Sequence, residues 1–230
     1  MSVSYRIKTL CGLLQDTDVF ADVGCDHGYC TQYMLSKGKC ERAIFSDISK
    51  GSLQKAQILL ADYVQDGRAI GVLGNGFYGV PDTVGEVLIA GMGGSEILSI
   101  LTDETHGFLP KTFVFQPMLN ADKLRKFLLD NGAYITRDFT FKDGKYYDVI
   151  CGRRLTQGEP KQAYSDMEIE FGKENLETLP DAFVERTKKQ IRDVERYLAT
   201  DGLQEESRAE LLARKERLNE AIKNDRMGNL

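Results

Sequence analysis

Short apolar runs alternate with amphipathic stretches along most of the 230-residue chain. Five runs have the length of buried strands and lie at 19–23, 42–47, 69–73, 86–90 and 112–115. Helix-like sequence follows most of them, which favours a parallel sheet covered by helices. Two further runs, 134–141 and 145–151, flank Lys142-Asp143-Gly144 and predict an antiparallel hairpin. The pattern predicts an α/β fold whose sheet has five parallel strands and is finished by this hairpin.

The first residues have the signature of an amphipathic helix. Ser4 is a favourable N-cap, and the apolar residues at positions 7, 10, 13 and 14 fall on one helical face. We expect this helix to cover an edge of the sheet, with Arg6 and Lys8 facing outward.

The last fifty residues follow a different pattern. Apolar residues step by three and four over 184–198 and again over 211–222, with Asp201-Gly202 between them. This spacing predicts two antiparallel helices, a coiled-coil-like hairpin that packs on itself or on the sheet. Residues 156–180 contain the glycine, proline and polar residues that are typical of a linker. The predicted domains are 1–155 for the sheet, 156–180 for the linker and 181–230 for the helical hairpin.

The first strand ends in a turn that is typical of nucleotide-like ligands. Asp22-Val23-Gly24-Cys25-Asp26-His27-Gly28 places backbone N–H groups at the carboxyl end of a strand. Dinucleotide folds need a glycine where this chain has Asp26, because a carboxylate there repels pyrophosphate. The same carboxylate suits a ligand with an ammonium group and a sulfonium centre, as in S-adenosylmethionine. An ordinary strand-to-helix turn is the alternative interpretation of this segment.

The next strand ends supply further candidate ligands. Asp47 follows the second strand at the position from which a carboxylate accepts hydrogen bonds from ribose, although it is also a candidate N-cap for the helix near Ser49. Gly74-Asn75-Gly76-Phe77 offers an amide for the edge of an adenine and an aromatic ring for its face. Gly91-Met92-Gly93-Gly94 permits a very close approach of backbone to ligand.

These motifs resemble those of the bacterial tRNA adenine-N1 methyltransferases that act on position 22 of the D-arm. The similarity rests on residues 21–29, Ile89-Ala90-Gly91-Met92-Gly93-Gly94, Gln116-Pro117 and the hairpin 143–147. It is firm over about residues 5 to 155 and looser beyond them. The chain departs from the family pattern at Asn75, where the family has an acid, and at Cys30-Thr31, where the family has Leu-Pro.

The resemblance implies a class I methyltransferase with a Rossmann-like sheet, S-adenosylmethionine as methyl donor and tRNA as substrate. The residues expected to bind the cofactor are Asp22, Gly24, Asp26, His27, Gly28, Asp47, Ile48, Gly74, Asn75, Gly76, Ala90, Gly91 and Met92. The residues expected to take part in catalysis are Asp26, Gly91, Met92 and Gly93.

Methyl transfer to N1 of adenine needs an unpaired or flipped base, because N1 accepts a hydrogen bond in a duplex. Attack makes the ring cationic, so an acceptor for the exocyclic amino group stabilises the product. Asp26 and the carbonyl of Ala90 or Gly91 are the candidates, with His27 as a weaker one. Alternatively, Asp26 holds the methionine ammonium. Tyr29, Gln116 and Asn120 are candidates to stack on or read a ligand, or to serve as packing and capping residues.

Charge and composition limit the partners. The formal net charge is −5, so a tRNA surface must be a local basic patch. Its candidates are Arg6, Lys8, Lys111, Lys123, Arg125, Lys126, Arg153 and Arg154 in the first part, and Lys188, Lys189, Arg192, Arg196, Arg208, Arg214, Arg217 and Arg226 in the hairpin. The alternative for each is a solvated surface charge.

Cysteine and histidine usage argues against a metal. The five cysteines form no Cys-x-x-Cys pair, and the chain has two histidines. No secretory or membrane-spanning run is evident, so we expect a cytoplasmic monomer that binds tRNA and neither DNA nor a membrane. A methyltransferase for a small molecule or a protein, and a non-catalytic cofactor-binding module, remain alternatives.

Overall fold

The computed structural model describes residues 3–223 and contains one seven-stranded sheet. Its strands are β1 (Thr17–Val23), β2 (Cys40–Asp47), β3 (Ala69–Leu73), β4 (Glu86–Met92), β5 (Thr112–Pro117), β6 (Ala133–Asp143) and β7 (Lys145–Arg154). The helices are α1 (Tyr5–Leu13), α2 (Tyr29–Ser36), α3 (Lys50–Leu59), α4 (Ala61–Gln65), α5 (Gly94–Leu101), α6 (Ala121–Asp130), α7 (Asp166–Phe171), α8 (Lys173–Thr178), α9 (Asp181–Leu198) and α10 (Glu205–Ala221).

The strand order is β3-β2-β1-β4-β5-β7-β6, with the first five strands of the chain parallel. β7 pairs antiparallel with both β5 and β6, so the predicted hairpin completes the sheet. β1 pairs with β2 on one side and β4 on the other. Chains that leave a parallel sheet toward opposite faces at such a point open a crevice beyond the strand ends. The predicted α/β architecture is confirmed.

Two apolar layers cover the two faces of the sheet. Leu10, Met34 and Leu53 from α1, α2 and α3 belong to one layer. Ile97 from α5 and Leu124 from α6 belong to the other. Successive strand residues alternate between the layers, because side chains of a strand point to opposite faces. The helices after β1 and β2 therefore lie opposite the helices after β4 and β5.

Helix α1 begins as predicted but packs on a different surface. The Ser4 hydroxyl accepts a hydrogen bond from the Ile7 amide at 3.3 Å. Leu10 and Leu14 are buried in the first apolar layer, so α1 lies over a face of the sheet. The expectation that it covers an edge was wrong, because a helical apolar stripe indicates burial and not the partner surface.

The predicted linker 156–180 contains two short helices, α7 and α8, which cover most of residues 166–178. Ser165 caps α7 in a capping box with Glu168. Asn175 in α8 is fully buried and donates hydrogen bonds to the Thr140 hydroxyl and the Phe171 carbonyl. This segment is therefore packed against β6, and the domain boundaries around it stay a prediction.

Helices α9 and α10 form the predicted hairpin. Val194, Leu218 and Ile222 are buried in a third apolar cluster, the hairpin cluster, which also includes Phe171 of α7. The hairpin also packs on the sheet, where Arg186 of α9 lies 2.8 Å from the Asp148 carboxylate of β7. None of the helices within residues 3–223 combines the length and the apolar character that crossing a bilayer requires.

Glu86, a buried glutamate at the amino end of β4, makes the stability of the fold depend on pH. Burial raises the pKa of Glu86 to about 7. Because the folded pKa exceeds the unfolded one, protonation favours the folded state, and this stabilisation is lost as pH rises through 7. Glu86→Gln is therefore expected to be more stable than the wild type by on the order of 2–3 kcal/mol at pH 8. A glutamine amide can also donate to the Thr112 hydroxyl, which itself donates to the Gly85 carbonyl.

Thermal unfolding of Glu86→Gln and wild type between pH 5 and pH 8 checks this prediction. The difference in Tm should shrink as the pH falls. Glu41→Gln, a change at an exposed position of β2, is the matched control and should shift Tm little at either pH. A difference for Glu86→Gln that stays constant with pH would contradict the raised pKa.

Candidate active site

A cleft of about 350 Å³ opens where the carboxyl ends of β1, β2, β3 and β4 meet. The predicted residues that line it are Gly24, Asp26, Asp47, Ile48, Gly74, Asn75, Gly76, Ala90, Gly91 and Met92. The other predicted residues, Asp22, His27, Gly28 and Gly93, do not line this cleft. The sequence motifs at four separate strand ends therefore converge on one site.

The turn after β1 is built on left-handed backbone. Gly24 has φ +74°, and its amide and that of Cys25 donate to the Ser46 carbonyl at 2.8 and 2.9 Å. Asp26 has φ +47°, which asparagine and aspartate tolerate better than most residues. Its side chain is two-thirds exposed, with 67% relative accessibility. The Asp26 carboxylate is thus a solvated charge at the cleft, held in place by its backbone.

Three predicted cofactor ligands occupy other places around this turn. Asp22 is buried, accepts a hydrogen bond from the Thr31 hydroxyl at 2.8 Å, and has its pKa raised to about 6 by burial. Asp22 and His27 line an adjoining cavity of about 80 Å³. Gly28 packs against α3, where an added Cβ would lie 3.1 Å from the Ala56 methyl. Gly28 therefore has a packing reason to be glycine.

Asp47 links the second strand end to the first. Its carboxylate accepts from the Asp26 amide at 3.1 Å and from the Ser49 amide at 2.8 Å. The N-cap of α3 is Ser49, not Asp47. The alternative role as a cap is thereby excluded, and Asp47 faces the cleft while it braces the turn that carries Asp26.

The third strand end differs from the prediction in one respect. Asn75 lines the cleft, but Phe77 is buried and stacks on Phe108 with ring centroids 4.1 Å apart. The expectation that Phe77 covers an adenine face was wrong, because its ring belongs to the second apolar layer. Ile48 lines the cleft instead with an exposed side chain.

The four residues after Ala90 have distinct steric surroundings. Gly91 has φ +86°, and an added Cβ would lie 2.9 Å from an Arg6 guanidinium nitrogen. Gly94 begins α5 and donates its amide to the Leu119 carbonyl at 2.7 Å. Gly93 has open space around its Cα and φ −66°, so no steric contact of the protein requires glycine there.

Arg6 lies inside the site rather than facing outward. Its Nε donates to the Gln116 side-chain oxygen at 2.8 Å, and its backbone amide donates to the Asp143 carboxylate at 2.8 Å. Its guanidinium also lies 5.4 Å from the centre of the Tyr147 ring. Arg6 lines both the cleft and the adjoining smaller cavity, so it supplies a fixed positive charge between them.

Several lining residues are absent from the predicted set. They are Arg6, Val23, Ser46, Glu96 and Ile100. Glu96 follows Gly93 by three residues and accepts from its amide at 3.3 Å, a capping-box spacing that the sequence does contain. Arg6 has no such local signal, because its partners are more than a hundred residues away.

The remaining candidates have structural partners. Gln116 is fully buried and bonded to Arg6, and the Asn120 amide donates to the Ser95 hydroxyl at 3.1 Å instead of capping α6. Tyr29 stacks on His27 with centroids 5.5 Å apart. Within residues 3–223 no group of three or more His, Cys, Asp or Glu side chains is placed to hold a metal ion.

The basic residues predicted to contact RNA differ in burial and in ion pairing. Arg125 has 1% relative accessibility and is paired with Asp138, so the prediction that it contacts RNA was wrong. Arg153, Arg196 and Arg217 form ion pairs with Glu159, Asp193 and Glu170. Arg226 lies outside the described residues.

The chain is similar in sequence to known tRNA methyltransferases. The family model described as tRNA (adenine(22)-N(1))-methyltransferase matches residues 20–226. The chain is 35% identical over 161 residues to a putative tRNA methyltransferase of Mycoplasma pneumoniae, covering 67% of this chain and 72% of the relative. It is 26% identical over 183 residues to the tRNA (adenine(22)-N(1))-methyltransferase of Bacillus subtilis, covering 75% and 72%.

A solved structure has the same fold over nearly the whole chain. It is that of a putative tRNA (m1A22) methyltransferase of Streptococcus pneumoniae in complex with S-adenosyl-L-methionine. The TM-score is 0.82 at 23% identity, over 96% of this chain and 100% of that one.

Proposed function

Because the chain belongs to the tRNA (adenine(22)-N(1))-methyltransferase family, we propose that it methylates N1 of adenine 22 in the D-arm of tRNA with S-adenosylmethionine as donor. The observation that carries this proposal is the cleft at four strand ends, with Asp26, Asp47 and Asn75 on its wall. Its charge and polarity suit a ligand with ribose hydroxyls and a cationic sulfonium end.

The residues present fit this donor. The Ser46 hydroxyl is buried, lines the cleft and has no hydrogen-bond partner within the described residues. Such a group needs an acceptor or donor from a ligand or water. We assign Asp47 to the ribose, Asn75 to the adenine edge and the exposed Ile48 side chain to the face of the ring, since all three line the cleft.

Asp26 and Arg6 bring two opposite charges to the cleft. We assign Asp26 to the ammonium and Arg6 to the carboxylate of the methionine moiety, since both line the cleft and the adjoining cavity. A charge-assisted hydrogen bond to each group fixes its orientation. S-adenosylmethionine supplies an electrophilic methyl carbon on a positive sulfur.

The chain's own contribution to the transfer is positioning. Gly91 and Met92 line the cleft next to Arg6, and we assign this wall to the side from which the base approaches the methyl group. N1 forms the new bond with its lone pair, and the sulfur keeps the electrons of the broken bond. We assign the Ala90 or Gly91 carbonyl as the acceptor for the exocyclic amino group of the cationic base, since both residues line the cleft.

We also propose which parts of the chain act, where the protein is found and what it binds. The sheet domain, 1–155, performs the transfer, and the hairpin, 181–230, contributes to tRNA binding beyond the linker 156–180. The protein acts as a cytoplasmic monomer and binds neither DNA nor a membrane. The exposed basic residues Lys189, Arg192 and Arg214 of α9 and α10 are its RNA-contact candidates.

Transfer of a labelled methyl group from S-adenosylmethionine to unmodified total tRNA tests the function, with the nucleoside identified by mass spectrometry. N1-methyladenosine at position 22 is the expected product. Cofactor binding without label in any tRNA would instead support a small-molecule or protein methyltransferase, or a non-catalytic binding module.

Replacing Asp26 by asparagine separates its two candidate roles. Asparagine keeps the left-handed backbone but removes the charge. We expect KM for S-adenosylmethionine to rise by about 10- to 100-fold, as for loss of a hydrogen bond to a charged group, with kcat at saturation nearly unchanged. Arg6→Met should show the same pattern. Steady-state kinetics with varied cofactor measure this, and a lower kcat at unchanged KM would assign Asp26 to the base instead.

A further inference from the structure

The loop after β5 presents an exposed leucine beside the proposed transfer site. Leu119 has 72% relative accessibility, and its neighbour Met118 has 41%. The side chain of Leu119 belongs neither to the two apolar layers of the sheet nor to the hairpin cluster. Leu119 and Met118 are adjoining exposed apolar residues at the edge of a polar site, and such a patch is a candidate contact for a partner.

The loop that carries Leu119 is fixed to the wall of the cleft. The Met118 amide donates to the Met92 carbonyl at 2.8 Å, and the Leu119 carbonyl accepts from the Gly94 amide at 2.7 Å. Asn120 adopts φ +55° and its side chain is bonded to Ser95. Backbone hydrogen bonds thus connect the loop of Leu119 to Met92 and Gly94.

The loop of Leu119 adjoins two spaces. The cofactor cleft lies on the side of Met92. On the other side, Leu119 lines a cavity of about 770 Å³ that reaches Tyr146 of β7, Gln190 of α9 and Arg214 of α10. A nucleic acid strand that contacts both the cavity at the helical hairpin and the cleft would therefore run along the loop that carries Leu119.

We propose that Leu119 enters the base stack of the D-arm and fills the space that adenine 22 leaves when it turns into the cleft. This inference rests on the proposed function. Proteins that unstack bases commonly insert an apolar side chain at the vacated step, and an enzyme acting on a base edge must expose that base. The rigid attachment of the loop keeps the leucine at a constant distance from the methyl-transfer wall.

Leu119→Ala tests this role with two tRNA substrates. One has adenine 22 paired in the D-stem, and the other carries a nucleotide opposite adenine 22 that cannot pair with it. We expect kcat/KM for the paired tRNA to fall by about tenfold or more, since unstacking a base step takes a few kcal/mol. The fall should be largely abolished with the unpaired tRNA, and Leu119→Met should retain most of the activity on both.

Ile58→Ala is the matched control, because Ile58 of α3 is equally exposed at 72% and lies away from both spaces. Binding of S-adenosylmethionine should be unchanged in all variants. With 2-aminopurine at position 22, wild type should raise the fluorescence on binding more than Leu119→Ala does. Equal loss on paired and unpaired tRNA, or no loss on either, would overturn the role of Leu119. Absence of N1-methyladenosine with the wild type would overturn the proposed function instead.

Discussion

A Gly94→Ala variant is expected to lose at least about 10²-fold in kcat/KM for tRNA, because a misplacement of about 1 Å near reacting groups has an effect of that size. An added Cβ would lie 2.3 Å from the Asn120 carbonyl oxygen and 2.7 Å from the Leu119 carbonyl oxygen. Both atoms are backbone, so no side-chain rotation relieves the overlap. The start of α5 must then separate from the loop after β5, and the wall at Met92 moves with it.

Gly93→Ala is the matched control for this change. The neighbouring position has open space and an ordinary backbone angle, so its free energy of unfolding and its affinity for S-adenosylmethionine should match those of the wild type. Gly94→Ala should also be less stable by about 1–3 kcal/mol, as overpacked sites usually are. Methyl-transfer kinetics and urea unfolding measure both quantities. Wild-type kinetics for Gly94→Ala would mean that contact between α5 and the loop is not needed for transfer.

Replacing Asp138 by alanine is expected to destabilise the fold by about 3–5 kcal/mol, the usual result of leaving a buried charge without its partner. Both Asp138 and Arg125 have 1% side-chain accessibility, and Arg125 Nε donates to the Asp138 carboxylate at 2.9 Å. Arg125 also donates to the carbonyls of Ile169 and Glu170 at 3.2 and 3.1 Å. The pair thus attaches α7 to β6 and α6.

Urea unfolding of Asp138→Ala checks this value, and Asp130→Ala is the control on the neighbouring helix. Asp130 forms an exposed pair with Lys126 at 3.2 Å, so its loss should change stability by less than about 1 kcal/mol. The double variant Arg125→Met with Asp138→Leu removes both charges and should recover most of the lost stability. Equal destabilisation by the double variant and by Asp138→Ala would show that packing, not the charge, is responsible.

Buried polar contacts of this kind explain where prediction from sequence failed. Arg125 sits in a helix with an ordinary amphipathic pattern, and nothing in that pattern separates a buried arginine from a solvated one. Its partner Asp138 is on another element, and the two carbonyls are more than forty residues further along the chain. Likewise, the turn composition of 156–180 did not reveal that α8 buries Asn175 against Thr140.

The candidate site was predictable where it depends on local chemistry. Strand ends followed by glycine and acidic residues identified Gly24, Asp26, Asp47, Asn75 and Gly91, all of which line the cleft. Phe77 was misassigned because an aromatic residue after a turn can face either a ligand or the core. Arg6 was missing from the predicted cofactor site for a different reason. Its contact with Gln116 spans 110 residues, so no local pattern indicates it.

By itself the sequence determined the seven strands in their order, the first helix, the C-terminal helical hairpin and the strand ends that line the cleft, but not helices α7 and α8. These follow from the two periodicities of side chains along strands and helices and from turn chemistry, which act over a few residues. Only the tertiary structure decided that α1 covers a sheet face and turns Arg6 into the cleft, that Arg125 is buried, and that Leu119 stands exposed beside Gly94. Such placements depend on which distant surfaces meet, because burial and pairing are properties of the packed whole.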